Sequence, residues 1–403
     1  MKQLSPVERD LLQPIDQAAM LAQTEGWSAI NSGTGNLAGL ARQAAALADA
    51  FAALPGEVEL REPAPVMALD AQGREVEMAN GRHLVLRVRP QARRRFLLTG
   101  HMDTVYPPDH PFQSGRWLDA DIYNAPGAAD MKGGIAVMLA ALAAFERGPA
   151  ARAVGYDVMI NADEETGSLS SAPLIAELAR GKAAALTYEP AALPDGTLAH
   201  ARGGSGNFSV AIRGRSAHAG RNPQDGRNAL VAAGALAVAL YGLRRDGLGV
   251  NPARIEGGSA NNVVPDFALL RFNIRPRDEN VFRFFEQKFK DLIHNIEAQY
   301  EVLAEVHGGL SRPPKPVDAG AQRLFDLVRR TGGELGQTIG WRASGGVCDG
   351  NNIAACGVPV VDTMGVRGGQ IHSPDEYLIA SSLTERAALS ALVLHRLAAG
   401  EAP

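Results

Sequence analysis

Hydrophobic positions change rhythm once along this chain. Before about residue 204, short apolar runs recur without polar interruption: Phe96-Leu97-Leu98, Val158-Met159-Ile160 and Ala183-Ala184-Ala185-Leu186-Thr187. A strand wetted on one face alternates apolar and polar residues, so unbroken runs predict strands buried on both faces. Gly134 to Arg147 is apolar and closes at Gly148-Pro149, which predicts a buried helix between the first two strands. Strand and helix in alternation imply an α/β fold with a mainly parallel central sheet flanked by helices.

From residue 204 the strands alternate. Phe208, Val210 and Ile212 interleave with Ser209, Ala211 and Arg213, and Leu270, Phe272 and Ile274 interleave with Arg271, Asn273 and Arg275. Each pattern predicts a strand with one wet face. Tyr300, Val302, Ala304 and Val306 predict a third. Helices are expected over Gly226 to Arg244 and across Val281, Phe285, Phe289, Leu292 and Ile296, which share one helical face. This strand–helix–strand–helix–strand order predicts a ferredoxin-like α+β domain inserted into the first. The glycine-rich Arg202–Gly206 and the proline-rich Ser311–Pro316 flank it. The expected division is 1–203 with 314–403 as one domain and 204–313 as the insert.

The chain has 403 residues, enough for two cores. A net charge of −4 offers nothing for nucleic acid or an acidic membrane surface. Two cysteines, Cys348 and Cys356, suit a reducing compartment and exclude a disulfide framework. Charges interrupt the N-terminal stretch before the apolar core of a secretory signal could form. The run Ile135 to Phe145 is shorter than the ~18 residues of a membrane span. A cytoplasmic protein acting on a small molecule is the expectation.

Ionisable residues recur where the buried strands stop. His101 and Asp103 follow the first, Glu164 and Glu165 the second, and Glu189 the third, while Asp130 lies in the glycine-rich lead into the buried helix. Ligands of open α/β sheets bind outside the carboxyl ends of the strands, so these loops could converge. Each residue alone reads as a solvated surface group. Together the carboxylates would repel one another unless a cation joined them, and histidine with carboxylate suits zinc or a similar divalent ion. Asp103 could accept a hydrogen bond from the far ring nitrogen of His101 and orient it. One member of the Glu164-Glu165 pair could bind metal while the other serves as a base, and His372 offers a second imidazole.

Five segments occur in order: Gly100-His101-Met102-Asp103-Thr104-Val105, Gly127 to Gly134 around Asp130, Asp163-Glu164-Glu165-Thr166-Gly167, Ser216-Ala217-His218-Ala219-Gly220 and the late His372. As a set they resemble the co-catalytic di-zinc metallopeptidase family of glutamate carboxypeptidase, acetylornithine deacetylase, succinyl-diaminopimelate desuccinylase and aminoacylase. The resemblance covers residues 95 to 376. It implies two divalent metal ions, with zinc expected. Asp130 would bridge them, His101 and Glu189 would complete one, and Glu165 and His372 the other. Asp103 would orient His101, and Glu164 would act as general base and then proton donor.

The resemblance also implies that His218 reaches the active site of a second subunit and holds the oxyanion, making the insert both lid and dimerisation surface of a homodimer. Asn262 and Arg275 match lid positions that hold substrate, and Gly346 is a further expected substrate contact. The loop Gly345 to Asn351 is expected to face the substrate, and a catalytic role for Cys348 is not needed. A glutamate at position 189 resembles the carboxypeptidase and acylase members. The expected activity is therefore metal-dependent hydrolysis of a peptidyl or N-acyl amide to release an amino acid with a free carboxylate. An N-acyl amino acid deacetylase or aminoacylase is the alternative, and a non-catalytic binding relative a remoter one.

Overall fold

The computed structural model describes residues 4–401; the extreme ends of the expected first domain, 1–3 and 402–403, lie outside the described residues. By its internal contacts the chain forms two units. The first runs up to Ala64, over Ala79–Ala201 and from Val317 on; the second comprises Pro65–Met78 and Arg202–Pro316.

A six-stranded sheet organises the first unit, in the order Glu57–Arg61, His83–Val88, Gly155–Asn161, Arg95–His101, Ala184–Thr187, Val360–Val361. Arg95–His101 runs parallel to both its neighbours, and Val360–Val361 runs parallel to Ala184–Thr187. The other two pairings are antiparallel, so the sheet is mixed rather than simply parallel. The unbroken apolar runs serve two cores at once. Phe96 and Leu98 pack into the larger core with the buried helix Gly133–Glu146 and the C-terminal helix Ser382–Ala398. Leu97 and Met159 point the other way, to Leu174, Ile175 and Ile353.

The helix Gly133–Glu146 is apolar on nearly every side because it is covered on nearly every side. With the turn before it, Ala128–Glu146 is long and apolar enough to cross a membrane, yet 89% of it is buried inside the protein. Its first turn approaches the third strand closely: a Cβ on Gly134 would sit 2.1 Å from the Tyr188 carbonyl oxygen. Only glycine lets the Asp130 loop come so near the strand end that carries Glu189.

The second unit holds a four-stranded antiparallel sheet, ordered Leu248–Gly257, Phe267–Pro276, Ser205–Arg213, Leu303–Arg312. The helices Ala229–Tyr241 and Glu279–Tyr300 share its core, where Phe208 stacks on Phe272 and Phe285 on Phe289. Two features depart from the sequence pattern. A fourth strand, Leu248–Gly257, lies where none was expected, and Tyr300 ends a helix rather than opening a strand. The hairpin Val66–Leu69 with Glu75–Met78, expected in the first domain, clusters with the second unit. Leu69 is buried against Ala211 and Leu269, and Arg271 Nη2 donates to the Leu69 carbonyl at 2.8 Å. The hairpin thus covers part of the sheet face that alternation predicted to be wet.

Candidate metal centre

Register decides which loops meet. Thr99 pairs with Thr187 and His101 with Asn161, so three parallel strands end at one edge of the sheet. His101 is the last residue of its strand, the turn Glu164–Thr166 follows the second, and Glu189 follows the third.

His101, Asp130 and Glu189 are buried. His101 Nε2 lies 3.0 Å from Asp130 Oδ1 and 3.7 Å from Glu189 Oε2. His372 Nε2 lies 3.3 Å from Asp130 Oδ2 and 3.2 Å from Glu165 Oε2. The Asp130 carboxylate therefore stands between two imidazoles, one oxygen toward each. Single donor atoms of His101, Asp130 and Glu165 fall within 4.8 Å of one another, as do those of His101, Glu164 and Glu189.

Asp103 has a larger task than the sequence suggested. The nearest acceptor to His101 Nδ1 is the Asp103 backbone carbonyl, at 3.0 Å, with the carboxylate at 3.4 Å. The carboxylate is turned to the glutamate turn: Oδ1 accepts the Glu164 N–H and Oδ2 the Glu165 N–H, both at 3.1 Å. The Thr34 hydroxyl adds a bond of 2.8 Å. With Nδ1 facing these oxygens, Nε2 of His101 is left for the carboxylates or for a cation.

The electrostatics describe a site short of positive charge. Burial pushes the Glu189 carboxyl up to about 8 and Glu165 up to about 7, with the Asp130 charge adding to both. Burial alone would depress His101, but the Glu189 charge and the bonds to Asp103 and Asp130 hold it well above the usual imidazole range. Hydrogen bonds to Asp130 and Glu165 raise His372 to about 11. Burial would raise Asp130, and the two histidines overcome it and hold its carboxyl low. Among the described residues, no Lys or Arg pairs with Asp130, Glu165 or Glu189, and Glu189 Oε1 is buried without a hydrogen-bond partner. Lys132, two residues from Asp130, points its Nζ to the Ile30 carbonyl instead. Converging imidazoles and carboxylates, one with an unsatisfied buried oxygen, are a donor set that suits divalent cations.

Sequence reasoning missed several supporting residues. Glu376 is buried, and its oxygens accept the N–H groups of Gly127, Ala129 and Asp130 and the Tyr106 hydroxyl. His83, given no role from the sequence, lies beneath the glutamate turn, within 3.3 Å of the Ala162 N–H and of Ser170 Oγ. Ser170 in turn donates to Asp163 at 2.8 Å. Asp349, expected to face the substrate, is buried and accepts from Ser168 and Asn161. Cys348 is also buried; in the loop Gly345–Cys348 the exposed residues are the two glycines, Gly346 among them.

In the second unit, His218 is exposed and its Nδ1 accepts the N–H groups of Gly220 and Arg221, at 3.1 and 3.2 Å. The Ala219 N–H donates to the Asn262 carbonyl at 2.9 Å, so His218 and Asn262 are neighbours. Arg275 lies toward the other end of the strand Phe267–Pro276, exposed, with Nε on Asn273. A cavity of about 370 Å³ opens beside Glu165 in the first unit, lined by Thr34, Asn36, Val105, Pro107, Pro108 and Thr166.

The sequence pattern of the peptidase family M20/M25/M40 matches residues 97–396, and the chain belongs to that family of metal-dependent hydrolases of amide bonds. Carboxypeptidase G2 of Pseudomonas sp. (strain RS-16) is 28% identical over 393 residues, covering 96% of this chain and 91% of its own. Succinyl-diaminopimelate desuccinylase of Rhodospirillum centenum is 30% identical over 337 residues, 76% of this chain and 82% of its own. A tripeptidase of Staphylococcus aureus shares the fold, with a TM-score of 0.73 at 23% identity over 96% of this chain and all of its own.

Proposed function

We propose that this protein is a carboxypeptidase-like amidohydrolase that holds two zinc ions and releases an amino acid with a free carboxylate from a peptidyl or N-acyl group. The observation that carries the reading is the convergence of His101, Asp130, Glu165, Glu189 and His372 at one sheet edge, with no Lys or Arg among the described residues paired to the three carboxylates. Asp130 faces both imidazoles and is the natural bridge. His101 and Glu189 would hold one ion, and Glu165 and His372 the other. Bound there, the ions would supply Lewis acidity and would acidify a water molecule.

The chain's own residues divide the remaining work. Glu164, whose backbone N–H is pinned by Asp103, takes a proton from the attacking water and passes it to the leaving nitrogen. His218 has Nδ1 committed to two backbone N–H groups, so its proton resides on Nε2. A single imidazole N–H is the kind of donor that stabilises a tetrahedral oxyanion. Arg275 would pair with the substrate carboxylate, where a guanidinium offers two parallel bonds; Asn262 and Gly346 would complete the substrate contacts. The cavity beside Glu165 has no basic lining residue, which suits the uncharged acyl or peptidyl part.

We read the second unit as lid and dimerisation domain. Val231, Val238 and Tyr241 leave an exposed apolar face on the helix Ala229–Tyr241, and Leu248–Gly257 is an edge strand. Such a face and such an edge are what a second copy would cover.

A panel of N-blocked peptides and N-acyl amino acids, each with free and amidated C-termini, tests the reading. Cleavage confined to substrates with a free carboxylate is expected, and the products separate peptidase from acylase. Equal cleavage of amidated substrates would contradict it.

A further inference from the structure

We infer that Glu376 is a positioning residue, a buried carboxylate that ties the loop of Asp130 to the loop of His372 and so sets the spacing between the two. The inference rests on the metal-centre reading above and adds to it a residue outside ligation and proton transfer.

The loop of Asp130 cannot satisfy its own backbone. Gly127 has φ +69°, and Asp130 and Met131 leave helical geometry at φ −117° and −134°. Helical carbonyls are therefore out of reach of several buried N–H groups, and buried N–H groups need partners. Glu376 supplies them. Its Oε1 accepts from Ala129 and Asp130, both at 3.0 Å, and its Oε2 accepts from Gly127 at 3.1 Å and from the Tyr106 hydroxyl at 2.8 Å. Only 1% of the residue is exposed, so these bonds are shielded from water.

The other end of the tie is short. The Glu376 N–H donates to the Ser373 carbonyl at 3.1 Å, and the Ser373 hydroxyl donates to the Gln370 carbonyl at 2.7 Å. A compact turn thus separates Glu376 from His372, which itself takes a left-handed φ of +62°. Further contacts reinforce the joint: Tyr106 Oη also lies 2.8 Å from the Ser373 carbonyl, so its single proton is shared between that oxygen and Glu376 Oε2, and Asn124 Nδ2 donates to the Glu376 carbonyl at 2.7 Å. The separation of 3.3 Å between Asp130 Oδ2 and His372 Nε2 is the consequence.

The chemistry requires a carboxylate. Four donors face two oxygens, and a carboxylate presents acceptors alone. Glutamine, nearly the same shape, would turn an NH₂ toward either the Ala129 and Asp130 N–H groups or the Gly127 N–H. With both oxygens already occupied by donors, Glu376 is not itself a ligand or a base.

The test uses the metal-free protein, titrated with zinc against a chromophoric chelator, with Glu376→Gln and Tyr106→Phe beside wild type. The thermal midpoint of each metal-free protein is recorded in parallel. Zinc affinity should fall about 10–100-fold in Glu376→Gln, and less but in the same direction in Tyr106→Phe. Wild-type zinc affinity in both variants, with only the metal-free midpoint lowered, would reduce Glu376 to ordinary structural support and overturn the inference. Should Glu376→Gln not fold, Tyr106→Phe decides: weaker zinc binding supports the tie and unchanged binding overturns it. A wild-type protein that takes up no zinc would sink the metal-centre reading itself.

Discussion

Asp103 Oδ1 accepts the backbone N–H of Glu164 at 3.1 Å, so the strand end that carries His101 also holds the turn that carries the proposed base. Its second oxygen takes the Glu165 N–H and the Thr34 hydroxyl. An amide in its place would present NH₂ to one of these donors. We expect Asp103→Asn to lower kcat/KM about 10–100-fold while circular dichroism stays that of wild type. Steady-state kinetics check this, and Thr34→Val, which removes one donor only, should cost less.

The neighbours Glu164 and Glu165 should fail in different ways. Glu164→Gln removes the proton carrier, and kcat should fall about 10²–10⁴-fold with the full metal complement retained. Glu165→Gln removes a ligand facing His372, so bound metal itself should drop. Metal analysis of the purified variants beside their kinetics separates the two roles. Equal metal loss in both would remove Glu164 from its role as base.

Metal uptake should release protons. Asp130 and Glu165 hold the His372 imidazole up to about 11, and His101 is also raised, so both carry protons at pH 7 in the metal-free protein. A divalent ion binds the deprotonated forms and must displace these protons, so affinity rises with pH through the neutral range. Calorimetric titration in two buffers of different ionisation enthalpy measures the number released. Heats independent of the buffer would contradict it.

Val238 is 75% exposed on the helix Ala229–Tyr241, and it supports no core. If that helix face is covered by a second copy, Val238→Glu should convert a dimeric mass to a monomeric one in light scattering, with the thermal midpoint of the monomer little changed. A dimer that survives the charge places the interface elsewhere.

The parts of the site carried by short-range chemistry were legible in the sequence. His101, Glu164, Glu165 and Glu189 stand a few residues beyond unbroken apolar runs, and the register of the parallel strands brings those ends together. What escaped was non-local or hidden in the backbone. The strand Leu248–Gly257 shifts register between Pro252 and Arg254, so its alternation breaks halfway and the pattern is lost. The hairpin at 66–78 binds Arg271 across some 200 residues, and nothing within it names its partner. Glu376 was invisible because three of its four donors are backbone N–H groups, which carry no side-chain signature. His83 finds Ala162 and Ser170 only once two antiparallel strands are paired.

The most direct measurement is hydrolysis of an N-blocked peptide ending in a free glutamate, followed by mass spectrometry through one cycle of metal removal and return. The account predicts cleavage of the last amide bond, loss of activity with a chelator, recovery on adding zinc, and no recovery in zinc-loaded Glu164→Gln. Cleavage that persists in the fully chelated protein, or in zinc-loaded Glu164→Gln at the wild-type rate, would contradict it.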